Sequence, residues 1–407
     1  MHPRERRQSR RHFLLSSAGA VAALSGADAL LQAAGALAGA PMGPGGIPLA
    51  RRNFPVTLPI YSDNQPIASG KSTEKGPLNV FNWSDYINPA VVKQFEKEYG
   101  VKVKITTFEN EEEALAKLSS GQGSFDVWFP TVDYISRSVA GKLIQPLNHS
   151  YLPNLKNVWA SLQSPFYDVH SRYTVPYTVY TTGIAYRKDK LKAAPTGWDA
   201  FWQAKKISGK VTILDDQREA LSMALLHRRI TQINTENANQ VNQAGSDLKQ
   251  LTNLVNVKTN TTAYTDVPTG AAWLAQAWSG DMAGAINYMP KGVPVSVVGY
   301  WRPSTNAIVG SDMISILRKA KNPVLAHHFL NYLLDKQHGV TNFSWLGYMP
   351  PLSTINPDKV IAQGYIPKNL GSTVVRESDF KNGLSILPLT AQGQATWQNA
   401  WANFKAG

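Results

Sequence analysis

Leu78-Asn79-Val80-Phe81-Asn82-Trp83, following Pro77, reads as a short buried strand. What comes after it decides the fold class. Asn88-Pro89 sets a capping side chain ahead of a proline at the first helical position, and Val91, Val92, Phe95 and Tyr99 then share one helical face. Gly100 stops that helix. Val101, Val103 and Ile105 alternate as a second strand. Asn110 ahead of Glu111-Glu112-Glu113 caps a second helix, with its acids at the positive end of the dipole. Phe125-Asp126-Val127-Trp128-Phe129-Pro130 reads as a third strand. The order β-α-β-α-β implies a parallel sheet covered by helices.

Downstream the pattern repeats. Tyr173 to Tyr186 is a β-branched and aromatic run, interrupted by Pro176 and long enough to cross from one lobe to another. Lys210–Leu214 reads as a strand and Gln217–Ile230 as a helix. Met282–Tyr288 and Val293–Val298 are strand-like, Asp312–Leu317 opens another strand, and Asn322-Pro323 caps a helix through Leu334.

Upstream lies Ser9-Arg10-Arg11-His12-Phe13-Leu14-Leu15, adjacent arginines ahead of a small-residue apolar run, Phe13 to Ala40, with the single acid Asp28. This is the layout of a bacterial twin-arginine signal peptide, and Ala36-Leu37-Ala38 and Ala38-Gly39-Ala40 both offer a cleavage pattern. Residues 1–40 are therefore expected to be removed on export to the periplasm by the twin-arginine machinery. The run is rich in Ala and Gly, whereas a spanning helix needs about 20 strongly apolar residues. Residues 41–77, rich in Pro, Gly and Ser, read as a flexible leader.

Composition narrows the chemistry. No cysteine occurs, which removes disulfides, thiolate chemistry, Cys-based metal sites and a lipid-modified Cys anchor. The formal charge is +13, but Lys and Arg are dispersed with no run of five basic residues, so no nucleic-acid partner is expected.

Asn82-Trp83-Ser84-Asp85-Tyr86-Ile87, with Phe95-Glu96-Lys97-Glu98-Tyr99-Gly100 in the next helix, resembles the start of the periplasmic spermidine/putrescine-binding proteins, the solute-capturing subunits of ABC importers. Phe125 to Thr131, Asp215-Asp216-Gln217-Arg218-Glu219, Phe329 to Leu334 and Gly347-Tyr348 agree in order. The resemblance covers residues 77–407. It implies a two-lobed α/β periplasmic binding protein of type II, each lobe a mixed, mostly parallel sheet covered by helices, with the ligand between lobes. Lobe one would combine 78–178 with 313–358, and lobe two 179–312 with 359–407.

A polyamine is an apolar rod carrying ammonium groups. Its site needs carboxylates for the charges and aromatic faces for the methylenes. The resemblance places Asp85, Asp216, Glu219 and Asp312 on the four acidic positions of a spermidine-type site. Asp216 and Glu219, three residues apart at a strand-to-helix turn, can share one face, and the same residues suit helix capping. Trp83, Tyr86 and Tyr348 match aromatic wall positions, with Ser84 beside them, and Thr131 matches a small hydroxyl residue that orients the ligand. Core packing is the competing role for such aromatics.

Departures from the family pattern accompany these matches. Asp133 stands where the spermidine type has an aromatic. Gly310 stands two residues before Asp312, also in place of an aromatic, and Tyr300 or Trp301 could replace it. Gly280-Asp281 fits a turn leading into a strand, so that Tyr288 replaces a stacking Trp and Lys291 enters the cleft. A rival register makes Trp278-Ser279-Gly280-Asp281 the site segment. The first is preferred, because the strand should follow the turn. Lys291 in the cleft would repel a second ammonium or pair with a ligand carboxylate, which makes a zwitterionic or amino-acid-like amine the alternative to a polyamine.

A twin-arginine-exported enzyme is the rival from another class. The eight histidines are scattered apart from His327-His328, no G-x-S-x-G elbow occurs, and no G-x-G-x-x-G follows a strand. The expectation is a non-enzymatic, monomeric binding protein without cofactor or metal, which captures a cationic amine, first of all a polyamine of the putrescine/spermidine type, by lobe closure and presents it to an inner-membrane ABC permease.

Overall fold

The structure, a computed structural model, describes residues 41–407; the expected signal peptide at 1–40 lies outside the described residues. β1 (Leu78–Trp83) leads into α1 (Pro89–Tyr99). The Asn88 side chain accepts from the Ala90 N–H, and Gly100 ends the helix in the left-handed region at φ 65°. β2 (Val103–Phe108) runs parallel to β1, from Leu78 opposite Val103 to Trp83 opposite Phe108. Asn110 caps α2 (Glu111–Ser119) by accepting from the N–H groups of Glu112 and Glu113. β3 (Val127–Trp128) pairs with the other edge of β1, again parallel, and precedes α3 (Val132–Ala140).

β4 (Thr174–Arg187) is buried along all 14 residues. Pro176 has no N–H to give, and the ladder shifts register between Pro176 and Thr178. Then follow β5 (Val211–Leu214), α4 (Gln217–His227), α5 (Ala238–Val255), β6 (Lys258–Asn260), α6 (Ala263–Thr269), β7 (Leu274–Trp278) and α7 (Ser279–Ala283). The chain finishes with β8 (Val298–Trp301), β9 (Ile308–Ile316), α8 (Pro323–Leu333), α9 (Lys336–Leu346), α10 (Pro357–Ala362), α11 (Glu377–Asn382), β10 (Leu384–Ser385) and α12 (Ala391–Lys405).

One sheet joins all of this, in the order β2-β1-β3-β9-β4-β7-β5-β6, with β10 beside β9 and β8 beside β4. β1, β2 and β3 are mutually parallel at one end; β5, β6 and β7 are parallel at the other. The antiparallel pair β4–β9 passes between them. Each end carries its own apolar packing. Phe95 meets Phe329 with ring centroids 5.0 Å apart on the first side, and Phe201, Leu221, Leu248 and Trp397 pack together on the second. Among the described residues no helix is long and apolar enough to cross a membrane.

Two expectations are corrected. The stretch 41–77 is docked, not flexible. Ile47 and Leu58 are fully buried in a cluster with Phe81 and Trp128. Val56 N–H donates to Phe166 O at 2.7 Å, Asn64 Nδ2 donates to Ile144 O at 2.9 Å, and Glu74 accepts from Leu325 N–H at 2.8 Å at the start of α8. A Pro- and Gly-rich composition limits regular structure here to a 3-10 turn, Pro44–Gly46, but it leaves Ile47, Val56 and Leu58 free to bury. Each contributes about 1.5–3 kcal/mol when it does. The second correction concerns Met282–Tyr288, which is not a strand. The strand is β7, which precedes Asp281; α7 and a 3-10 turn, Gly284–Tyr288, follow. Likewise Val295–Val297 is a 3-10 turn, and β8 begins only at Val298.

Candidate functional site

The parallel strands end at one cleft. The turns after β1, β3, β5 and β7 converge there, and the middles of β4 and β9 form its floor. Carboxyl ends of parallel strands beside a reversal of the sheet are where α/β folds leave room for a ligand. Trp83, Ser84, Asp85, Tyr86, Thr131, Asp133, Asp216, Glu219, Tyr288, Asp312 and Tyr348 all line it.

Asp312 projects from β9 and is buried. Its Oδ2 accepts from the Tyr86 hydroxyl and, at 3.4 Å, from Thr178. Burial pushes its carboxyl up to about 7, against the pull of those two hydrogen bonds. Asp216 caps α4, its Oδ1 accepting from the N–H groups of Arg218 (2.8 Å) and Glu219 (2.9 Å). Capping and cleft lining therefore coincide in one side chain. Burial lifts it to about 6. Glu219, in the first turn of α4, accepts at Oε1 from Thr182 Oγ1 and Trp278 Nε1, each at 2.9 Å. Burial first and Asp216 second push it up to about 8. Asp85 is exposed at the cleft mouth, in the left-handed region at φ 50°. Asp133 accepts from Thr131 Oγ1 at 2.8 Å within the first turn of α3.

Asp281 joins these acids. It is buried, accepts from the Tyr348 hydroxyl at 2.7 Å, and burial pushes it up to about 7. With Trp278 bonded to Glu219, the segment Trp278-Ser279-Gly280-Asp281 supplies the wall. The register preferred from sequence is thus overturned, although Tyr288 also reaches the cleft. Glu111, read from sequence only as a dipole-compensating acid, is 4% exposed; its Oε1 accepts from Thr131 N–H at 3.1 Å.

The aromatic wall is continuous. Tyr86 and Tyr348 meet edge to face at 4.9 Å, and Tyr180 lies 6.2 Å from both Tyr348 and Trp278. Trp83 divides its duties: its Nε1 donates to Phe129 O at 3.1 Å and its ring packs on Phe108 at 4.6 Å, while the remainder lines the cleft. Neither Tyr300 nor Trp301 swings in. Tyr300 donates to Thr181 O at 2.8 Å, and Trp301 packs on Trp198. Tyr180 occupies the space over Gly310 instead, a residue that sequence could not single out from a wholly buried run.

Lys291 is exposed and does not line the cleft. Among the described residues that line it, the one Lys or Arg is Arg218. Arg218 donates to Leu387 O (3.0 Å) and Asn234 Oδ1 (2.7 Å) and stacks on Trp397. Against it stand Asp85, Glu109, Asp133, Asp216, Glu219, Asp281 and Asp312. Such a cleft attracts cations and opposes anions.

The sequence profile of the bacterial extracellular solute-binding proteins matches residues 90–366. The chain is 30% identical over 275 residues to the putrescine-binding periplasmic protein PotF of Escherichia coli K12, a match covering 65% of this chain and 74% of that protein. It is 27% identical over 296 residues to a putrescine/cadaverine-binding protein of Pseudomonas aeruginosa, covering 71% and 83% respectively. Among solved structures, a Listeria monocytogenes protein classed with spermidine/putrescine ABC transporters superposes with a TM-score of 0.70 at 25% identity, over 81% of this chain and 98% of that one.

Proposed function

The chain belongs to the bacterial extracellular solute-binding proteins, and from that premise we propose that its cleft captures a small cationic amine, most simply a polyamine of the putrescine–spermidine class. One observation carries the proposal. Glu219 Oε2 and Asp281 Oδ2, both of residues that line the cleft, are buried and have no hydrogen-bond partner. An unsatisfied buried acceptor costs about 1–3 kcal/mol, and more when it is charged. A terminal ammonium group brings three donors and a compensating charge, and the methylenes between ammonium groups fit the faces of Trp278, Tyr180 and Tyr348. The names of the relatives support the same solute class. With Lys291 outside the cleft, the argument for a carboxylate on the ligand loses its residue.

In this reading lobe one comprises 78–178 and 313–358, and lobe two 179–312 and 359–407. They close over the amine by bending at β4 and β9. The closed monomer then docks on an inner-membrane ABC permease, after export to the periplasm by the twin-arginine route. The cleft binds and releases its solute unchanged; catalysis plays no part.

Titration calorimetry against putrescine, spermidine, spermine, agmatine, γ-aminobutyrate and basic amino acids tests the reading. A ligand present at about 100 times its dissociation constant adds about 2.7 kcal/mol of stability, so a thermal-shift screen finds it first. Micromolar binding of a polyamine is expected. Silence toward every polyamine, with a response to γ-aminobutyrate, overturns it.

A further inference from the structure

Residues 41–77 lie ahead of the stretch that the family profile matches, so family membership assigns them no role. Their anchors are on the first end of the sheet. Ile47 and Leu58 are buried with Phe81 and Trp128. Val56 N–H donates to Phe166 O at 2.7 Å, and Val169 N–H donates to Val56 O at 3.1 Å. Between these anchors the chain reverses. Arg51 and Phe54 exchange backbone hydrogen bonds of 3.0 and 2.8 Å, which sets Arg51 and Arg52 at a tight turn.

Both arginines reach beyond the end on which the arm is anchored. Arg51 Nη2 donates to Pro388 O at 3.1 Å. Arg52 Nη2 donates to Phe380 O at 2.6 Å and to Ser385 Oγ at 3.2 Å. The Arg52 guanidinium also lies 5.7 Å from the ring centroid of Phe166 and 5.8 Å from that of Phe380, within cation–π range of both. The stretch they grip is fastened to the second end. β10 runs beside β9 at Ile308 and Val309. From the connection between α4 and α5, Asn234 donates to Ser385 O at 2.8 Å and accepts from Leu387 N–H at 2.9 Å, and Glu236 accepts from Thr390 N–H at 3.0 Å. Phe380, Ser385 and Leu387 line the cleft.

Resting on the two-lobed reading above, we propose that residues 41–77 form a clasp across the lobe boundary, with Arg51 and Arg52 as positioning residues that hold the cleft wall at 380–388 and restrain opening. Hydrogen bonds are directional and weaken steeply with misalignment, so the acceptors at 380, 385 and 388 are served only while that wall stays against the arm. Charged donors make these bonds stronger than neutral ones. Ser161 Oγ donates to Glu377 Oε1 at 2.7 Å across the same boundary, so the clasp adds to a contact that the body of the fold already makes. A solute held between lobes leaves by their opening. The clasp therefore slows release and raises the share of molecules in the closed form.

The chain contains no cysteine, so paired spin labels on Thr106→Cys in β2 and Gln250→Cys in α5 report the distance between the two ends. Both positions are exposed and lie outside the cleft. In the ligand-free protein, Arg51→Ala combined with Arg52→Ala is expected to spread that distance toward longer values than the wild type shows. Coincident distributions overturn the clasp. Release of spermidine, followed by stopped-flow tryptophan fluorescence, is expected to be about tenfold faster from the double variant, and its affinity about tenfold weaker, as the closed share falls. An unchanged release rate overturns the clasp as well. Should the double variant fail to fold, Arg52→Gln alone, at an exposed turn position, decides the matter by the same two readings. A wild type that binds no polyamine overturns the proposed function, while the ligand-free distances still decide for or against the clasp.

Discussion

The ring of Tyr180 lies across the backbone of Gly310, its direct partner in the β4–β9 ladder: a Cβ at position 310 would stand 2.1 Å from Tyr180 Cζ. The glycine is there for space; its backbone angle is one that any residue adopts. By yielding that space it sets the ring between Trp278 and Tyr348 and completes the wall.

Gly310→Ala therefore evicts the ring. Overpacking of this kind costs about 1–3 kcal/mol. Amine affinity is expected to fall about tenfold while the far-ultraviolet spectrum keeps its native shape. Calorimetry reads the loss, and unchanged affinity would show that Tyr180 never touches the solute.

Asp312→Asn and Glu219→Gln each remove a charge from a buried position while retaining an acceptor for Tyr86, or for Thr182 and Trp278. Removing one partner of a buried charge pair costs about 2–5 kcal/mol, so binding should weaken by about 30-fold or more. A loss below about threefold takes the residue out of the site.

Proton linkage gives a third prediction. Burial holds Asp281 and Asp312 at about 7 and, with the charge of Asp216, Glu219 at about 8, far above the unfolded carboxylate range. Between those limits the folded protein holds protons that the unfolded chain has released, so stability falls as pH rises. His327, held down to about 4 by burial, acts in the opposite sense below its unfolded value near 6.5. The fall is therefore clearest from pH 6.5 to 8.5 and should appear as a declining melting temperature of the ligand-free protein. An ammonium ligand selects the ionised carboxylates, so affinity rises over the same range and binding expels protons. Calorimetry in two buffers of different ionisation enthalpy must then give different heats; equal heats would sink the idea.

The docked stretch 41–77 is a structural part of the protein. Leu58→Ala should cost about 2–5 kcal/mol of unfolding free energy, because it opens a cavity beneath Trp128 and Phe81. Glu74→Ala removes the acceptor for two N–H groups at the start of α8 and should cost about 1 kcal/mol. Denaturant midpoints check both, and a silent Leu58→Ala would return the stretch to the status of a loose leader.

The residues from Leu78 to Phe108 were legible because their signals are local. Asn88-Pro89, Gly100 and Asn110 each state a backbone conformation without reference to anything distant. The acids after β1, β5 and within β9 were legible because their order matches a known pattern. What failed depends on pairing across the chain. Apolar residues flank Gly280-Asp281 on both sides, and only the ladders of β7 with β4 and β5 decide which flank is the strand. Tyr180 belongs to a run buried at every position, so no alternation tells which way it faces. Glu111 looks like an ordinary first-turn acid until the end of β3 brings Thr131 and Asp133 against it.

β4 and β9 carry the sheet from one lobe into the other, and they also carry Tyr180, Gly310 and Asp312. Redesign of this protein as a sensor for another solute thus faces two unequal sets of positions. Asp85, Asp133, Asp216 and Asp281 stand on turns and helix starts, where one side chain can be exchanged at a time. The three residues on the floor belong to the strands that join the two ends of the sheet, so altering them disturbs that connection together with the site. New specificity is best sought from the rim inward, with those strands left alone until last.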